Sequence, residues 1–283
     1  MSQPELVISI LCDNWIHGSG FLGQHGFSAL IQAGADKYLF DAGPALSLQN
    51  NLQKLGLDLN RLSKVFLSHG HYDHVEGLDW VVARQGPIEI VAHPGVFGPH
   101  LKSDPQNPDA APRDIGCPHR PEDLAARGAR FTFVDHTGPV APGVVFVTGV
   151  PRRPDRTALD PRLVVRREGG RLALDPLADD SSLLLDSRRG PVLLLGCAHA
   201  GLVNILDHVA GELGVTKLHA LLGGTHLQFT GLAELPRYIA RIEDFSPEMV
   251  GVSHCTGFAA AAELARHFGS RFALAAAGGV FRF

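Results

Sequence analysis

Within seven residues, Ser68-His-Gly-His-Tyr-Asp-His74, the chain places three imidazoles and a carboxylate: His69, His71, Asp73 and His74. Those side chains at that spacing are metal-ligand chemistry. His69 and His71 lie two apart at the end of the short apolar run Val65-Phe-Leu67, and extended backbone turns both rings to the same side. Asp73 and His74 fall on the turn into a helix expected to begin near Val75, which swings them to an adjoining position. There Asp73 also gains from the positive end of the helix dipole. Four nitrogen and oxygen donors suit a borderline ion such as zinc, with iron or manganese as alternatives, and their split into two pairs points to one or two ions. A loop that is polar by accident would have to reproduce this spacing directly after a buried strand.

Other residues are candidates for contact with substrate. His226 follows Gly223-Gly-Thr, whose flexible backbone suits close approach to a ligand. It is read as a hydrogen-bond donor or general acid, and His25, in Gln24-His-Gly-Phe-Ser28, is given the same role. Arg152, Arg153 and Arg156 lie in a loop rich in Pro and Arg, where guanidinium forks match phosphate oxygens. His17, His93, His100, His119, His136, His208, His219 and His267 have no such context and are read as ordinary surface or helix-face histidines.

The elements that must position these groups can be read in outline. Leu6-Val-Ile-Ser-Ile-Leu11 is a buried-strand run, and residues 27–31 and 37–40 form a hairpin around Gly34 that ends in Asp41-Ala-Gly43. Leu48, Leu52 and Leu55 predict a helix over 45–56 stopped by Gly56. Residues 84–121 hold 8 of the 19 prolines, which predicts an irregular insertion able to cap a site. Strands return at 131–134, 144–147, 183–185 and 192–195. The remainder alternates helix (201–213, 231–243, 258–268) with strand (217–222, 249–252, 271–274). No composition break marks a linker, so residues 1–283 are read as one domain.

Composition narrows the class. With 25 Lys+Arg against 29 Asp+Glu and a formal net charge of −4, the chain lacks the basic surface of a nucleic-acid binder. The N-terminus carries no secretory pattern, the longest apolar runs are far too short to span a bilayer, and the four cysteines are widely spaced. A cytoplasmic protein acting on a small molecule is the expectation, with oligomeric state open.

The motifs together resemble the metallo-β-lactamase superfamily, and within it the dihydropterin–ribofuranosylaminobenzene phosphate synthase-like subgroup. The resemblance is carried by Gly23-Gln-His-Gly-Phe-Ser28, Leu39-Phe-Asp-Ala-Gly43, Leu67-Ser-His-Gly-His-Tyr-Asp-His74, Leu195-Gly-Cys-Ala-His-Ala-Gly201, Gly223-Gly-Thr-His-Leu227 and Ser253-His-Cys-Thr-Gly257. It implies an α/β fold (α+β by some schemes), a four-layer αββα sandwich with the metals at one edge. It also implies that His254 completes a second metal site with Asp73 and His74; Asp41 is read as bracing the metal loop rather than touching metal. Many relatives carry a bridging Asp where this chain has Cys197, and a histidine before strand 183–185 where it has Asp179-Asp180. His199 is therefore assigned to the first site with His69 and His71. Cys197 is kept open as a thiolate ligand, and Asp180 as either a ligand or a group that orients one.

The function expected from this set is metal-dependent hydrolysis of an ester, lactone or phosphodiester, with Asp73 orienting the nucleophile and His226 protonating the leaving group. The subgroup resemblance implies a transferase alternative, a pterin–ribosylaminobenzene phosphate synthase. A non-hydrolytic iron or redox metalloprotein is the third possibility.

Overall fold

The computed structural model describes residues 5–107, 109–153, 156 and 160–283. The first four residues, and Pro154 and Asp155 of the basic loop, lie outside the described residues.

Strands buried on both faces need near-continuous apolar runs, and Val192–Leu195, Ser182–Leu185 and Ala220–Gly224 have them. Among the described residues, two seven-stranded sheets result. The first runs, in spatial order, Val280–Arg282, Leu6–Cys12, Ser28–Ala33, Asp36–Phe40, Lys64–Phe66, Ile88–Ala92, Ala129–Phe133. The second runs Phe272–Leu274, Met249–Ser253, Ala220–Gly224, Val192–Leu195, Ser182–Leu185, Val144–Val147, Gly138–Ala141.

Alternation along each strand sorts side chains into layers. Ile8, Ile10, Phe40 and Phe66 from the first sheet meet Phe146, Leu183, Leu194 and Leu222 from the second in a shared core. The opposite face of the first sheet, with Leu30, Leu39 and Val65, packs on Leu48 and Leu52 of helix Ala45–Leu55 and on Val81 and Val82 of helix Leu78–Gln85. The opposite face of the second, with Leu193, Leu195 and Leu221, packs on helices Leu202–Leu213, Leu235–Glu243 and Phe258–Phe268. This is the expected α/β sandwich of four layers, αββα. Each fully buried Leu or Phe stabilises by about 1.5–3 kcal/mol, so strands clamped on both faces give their ends fixed positions.

The strands from Asp36–Phe40 to Ala129–Phe133 are parallel, as are those from Val192–Leu195 to Phe272–Leu274. Their C-terminal ends gather at one edge of the sandwich, where ligands bind in open parallel sheets.

Two expectations need correction. Residues 84–121 are not one irregular insertion: Ile88–Ala92 is an interior strand of the first sheet. Pro87 and Pro94 bracket that strand rather than interrupt it, so no ladder hydrogen bond is lost. The rest of the segment supplies the two-residue strands Leu101–Lys102 and Arg113–Asp114, which join Leu163–Arg166 and Leu172–Leu174 in a four-stranded sheet over the site. The second correction concerns Gly223 and Gly224, which lie in a strand and not in a ligand-facing loop. A Cβ at Gly223 would sit 2.1 Å from the Leu195 carbonyl oxygen, so the neighbouring strand's backbone is what demands glycine there.

Among the described residues, no helix is long and apolar enough to cross a membrane.

Candidate metal centre

Strand Lys64–Phe66 delivers His69 and His71 to the sandwich edge, and the short helix Tyr72–Val75 then carries Asp73 and His74 beside them. His199 arrives from the loop after Val192–Leu195, and His254 from the turn after Met249–Ser253. All six are buried.

The donors fall into two adjoining groups. In the first, ligand atoms of His69, His71 and His199 all lie within 4.8 Å of one another, with His69 Nε2 and His71 Nδ1 3.0 Å apart. The Nε2 atoms of His71 and His199 are buried without a hydrogen-bond partner. In the second, His254 Nε2 lies 3.3 Å from both Asp73 Oδ2 and His74 Nε2. Cys197 Sγ sits 3.2 Å from His74 Nε2 and shares one cluster with His69 and His74 and another with His254 and Cys255. The thiol thus stands between the two groups. Cys255 was not singled out from the sequence, although its place next to His254 in Ser253-His-Cys-Thr-Gly257 was a signal.

A ring of carboxylates holds these donors in place, as metal-site imidazoles require. Asp41 Oδ2 accepts from Ser68 Oγ at 2.6 Å and pairs with His74 Nδ1 at 2.7 Å, while its Oδ1 accepts from the Ser68 N–H. That leaves His74 Nε2 to face the centre. Asp180 braces the His199 loop: its two oxygens accept from the His199 and Ala200 N–H groups, each at 2.9 Å. Asp179 accepts from the Gly70 N–H at 2.7 Å. Gly70 has to be glycine, since a Cβ would fall 2.0 Å from the Val96 carbonyl oxygen.

Asp13 and Asn14, which follow strand Leu6–Cys12, hold the His254 N–H and Nδ1 at 2.7 and 2.9 Å. Neither was anticipated, because nothing local in the sequence links them to a residue 240 positions away. His100, read as bland, is a correction: it is buried, 5.1 Å ring to ring from His71, and bonded to Asp175 at 2.7 Å. Burial opposes its charge, but Asp175 and Asp179 raise it to about 10. Asp41, Ala198, His226 and His254 all have left-handed backbone, with φ between 48° and 60°; such conformations gather where a site over-determines them.

Electrostatics separates the groups. Burial, followed by repulsion from neighbouring imidazoles, pushes His69 and His199 well below the usual histidine range. Burial takes His71 to about 4. All three are neutral at pH 7, the form that binds a metal. Burial alone would raise Asp73, but the hydrogen bond to His254 and the charge of His74 hold it below the ordinary carboxylate range. Burial opposes the charge on His254, yet Asp73 raises it to about 9. Burial and the neighbouring Cys255 push the Cys197 thiol up.

A cavity of about 240 Å³ opens on this face. His226 lines it with both ring nitrogens buried and unpartnered, its ring 4.4 Å from that of His199. His25 stands at the rim, more exposed, with Nε2 3.2 Å from Asp73 Oδ2. Arg152 lies behind the centre and lines two other cavities there. One of its donors bonds the His199 carbonyl at 3.0 Å and another the Leu177 carbonyl, so its fork braces the His199 loop. Arg153 lines a separate groove with Asp207 and His208, and Arg156 pairs with Asp207. The cations that do line the main cavity are Lys102 and Arg113, on the four-stranded sheet, and Arg162, in the turn just before its strand Leu163–Arg166. No motif marked them.

Residues 23–209 match the family model of the metallo-beta-lactamase superfamily. The chain belongs to the metallo-β-lactamase superfamily. The likeness extends beyond the matched residues. The chain is 25% identical over 276 residues to the 7,8-dihydropterin-6-methyl-4-(beta-D-ribofuranosyl)-aminobenzene-5'-phosphate synthase of Methanocaldococcus jannaschii, covering 94% of this chain and 92% of that one. This agrees with the subgroup resemblance. A second protein of that archaeon, the uncharacterized protein MJ0448, is 28% identical over 271 residues, 92% of this chain and 94% of its own. Among solved structures, Tm1679, described as a metal-dependent hydrolase of the beta-lactamase superfamily, superposes with a TM-score of 0.80 at 24% identity, over 98% of each chain. As a metallo-β-lactamase-fold chain this one keeps the His69-x-His71-x-Asp73-His74 block and carries Cys197 between its two donor groups.

Proposed function

We propose that the chain is a metal-dependent hydrolase acting on an ester, lactone or phosphodiester bond of a small molecule in the cytoplasm, with zinc as the ion. One observation carries this reading: His69, His71 and His199, all buried, bring one ligand nitrogen each within 4.8 Å of one another, and the Nε2 atoms of His71 and His199 have no hydrogen-bond partner. Leaving such groups unsatisfied costs about 1–3 kcal/mol each, whereas neutral imidazoles are good zinc donors. His69, His71 and His199 would hold one ion; Asp73, His74 and His254 would hold a second, with Cys197 between them. A bound ion supplies Lewis acidity and lowers the pKa of water towards about 7.

The protein's own groups then act on either side of the reacting bond. Asp73, ionised and pinned by His254 and His25, accepts a hydrogen bond from the attacking water and fixes its direction. His226 lines the same cavity with free nitrogens and can pass a proton to the departing oxygen. His25 at the rim steadies Asp73 and contacts the incoming substrate.

A second reading is favoured by the likeness over nearly the whole chain to the M. jannaschii synthase. In it the same centre serves group transfer, joining a pterin to a ribosylaminobenzene phosphate.

Protein purified without added metal, analysed for zinc, iron and manganese and assayed with bis-(p-nitrophenyl) phosphate, tests the proposal. Near-stoichiometric zinc and chelator-sensitive hydrolysis are expected. Metal-free protein with undiminished hydrolysis would remove the proposal. Coupling of a pterin diphosphate with the aryl ribotide, and no hydrolysis of any ester, would favour the transferase.

A further inference from the structure

Lys102 and Arg113 are direct partners across the ladder between Leu101–Lys102 and Arg113–Asp114. Residues directly opposite on antiparallel strands share one face of the sheet, and like charges placed so are destabilising. Leu163, on the next strand, is the opposite neighbour of Lys102, so Arg113, Lys102 and Leu163 form a row across three strands. All three line the cavity above the metal centre. Asp114, the adjacent acid, is on the other face opposite Leu101 and accepts from the Gly116 N–H. Among the described residues neither cation has an acidic partner; Arg113 lies over the Tyr72 ring at 5.7 Å.

The third cation differs. Arg162 is held by both oxygens of Asp160 and lies 4.3 Å over the Phe229 ring. Its charge is already answered, and it serves with Phe229 as a wall. Two uncompensated cations therefore face each other across a ladder only two residues long, with their charge directed at the substrate space.

We propose that Lys102 and Arg113 form an anion clamp that takes a phosphomonoester dianion of the substrate in the cavity that the metal-centre residues also line. This rests on the hydrolytic reading above and names its substrate class: a small molecule carrying a terminal phosphate in addition to the bond that reacts. The dianion matches two facing cations and relieves their repulsion, and Arg113 presents a planar fork to phosphate oxygens. A monocarboxylate leaves one positive charge unanswered.

The test is calorimetric titration of phenyl phosphate, with benzoate alongside, into the metal-loaded protein and into Lys102→Met, Arg113→Met and the double variant. Met keeps much of each side chain's apolar stem. Charge-assisted hydrogen bonds are worth about 1.5–3 kcal/mol each, so each single change should weaken phenyl phosphate about tenfold and the double change about a hundredfold. Benzoate should bind at least tenfold more weakly than phenyl phosphate to the parent. In anion-free buffer the Lys102→Met protein should melt no lower than the parent, because a repulsion has been removed. Unchanged phenyl phosphate affinity in the double variant would overturn the clamp, as would equal affinities for phenyl phosphate and benzoate. A marked fall in melting temperature for Lys102→Met would do so as well. Metal content, measured on the same samples, separates the two readings. Clamp-dependent binding to protein that purifies with no metal supports the clamp and sinks the hydrolase; intact metal with clamp-independent binding does the reverse.

Discussion

The trio His69, His71 and His199 and the mixed set Asp73, His74, Cys197 and His254 share one buried edge but meet burial in different ways. In the trio every ring is neutral, and two nitrogens have no partner. In the mixed set a carboxylate and an imidazole already satisfy each other at 3.3 Å. An ion entering the trio meets rings that carry no charge and breaks only the neutral contact between His69 Nε2 and His71 Nδ1. One entering the mixed set must first displace the proton that Asp73 stabilises on His254. The difference predicts unequal affinity: the trio fills first and holds tighter.

Metal titration into chelator-stripped protein, followed by calorimetry, should therefore show two steps. The largest effect is expected from His71→Ala, which should remove the tight step and abolish hydrolysis of bis-(p-nitrophenyl) phosphate. His254→Ala should remove the weaker step and leave about one equivalent of metal. Full metal content in His254→Ala would end its assignment as a ligand, and a single step in the parent would end the comparison itself. Next in size is Asp41→Asn, which keeps the shape but loses the carboxylate that orients His74. Loss of such outer support costs about 10–100-fold in metal affinity. The loss should appear in the weaker step, since His74 belongs to the mixed set.

Much of this centre was legible in the sequence because the fold delivers it by local rules. Apolar runs buried on both faces announced strands at 65–67, 192–195 and 249–252, and the histidines directly after them had to emerge at strand ends. What was hidden is non-local. Asp13 and Asn14 support His254 through contacts that only the paired sheets create. The four-stranded sheet uses two-residue strands, too short for any periodicity, and pairs Lys102 with Leu163 across 60 intervening positions. Ile88–Ala92 was masked by the prolines on either side of it. Cys197 was legible as a departure from the family pattern, but its place between the donor groups needed coordinates.

Arg152 provides the smallest and most discriminating test, because the sequence reading sends it to a phosphate and the structure turns it towards two backbone carbonyls. Its donors reach His199 and Leu177, and its charge works against the burial that raises Asp180 to about 6. Arg152→Met would leave those carbonyls short of a donor and Asp180 without its nearest cation, a cost of about 1–3 kcal/mol. For a chain of this size each kcal/mol lowers the melting temperature by about 2–4 °C. The loosened loop carries His199, so the tight metal step should weaken by less than about tenfold while the weaker step stays put. Once metal is saturating, KM for a phosphate-bearing substrate should match the parent. A raised KM with both metal steps and the melting temperature unmoved would place Arg152 on the substrate instead, and would leave the support of the His199 loop to Asp180.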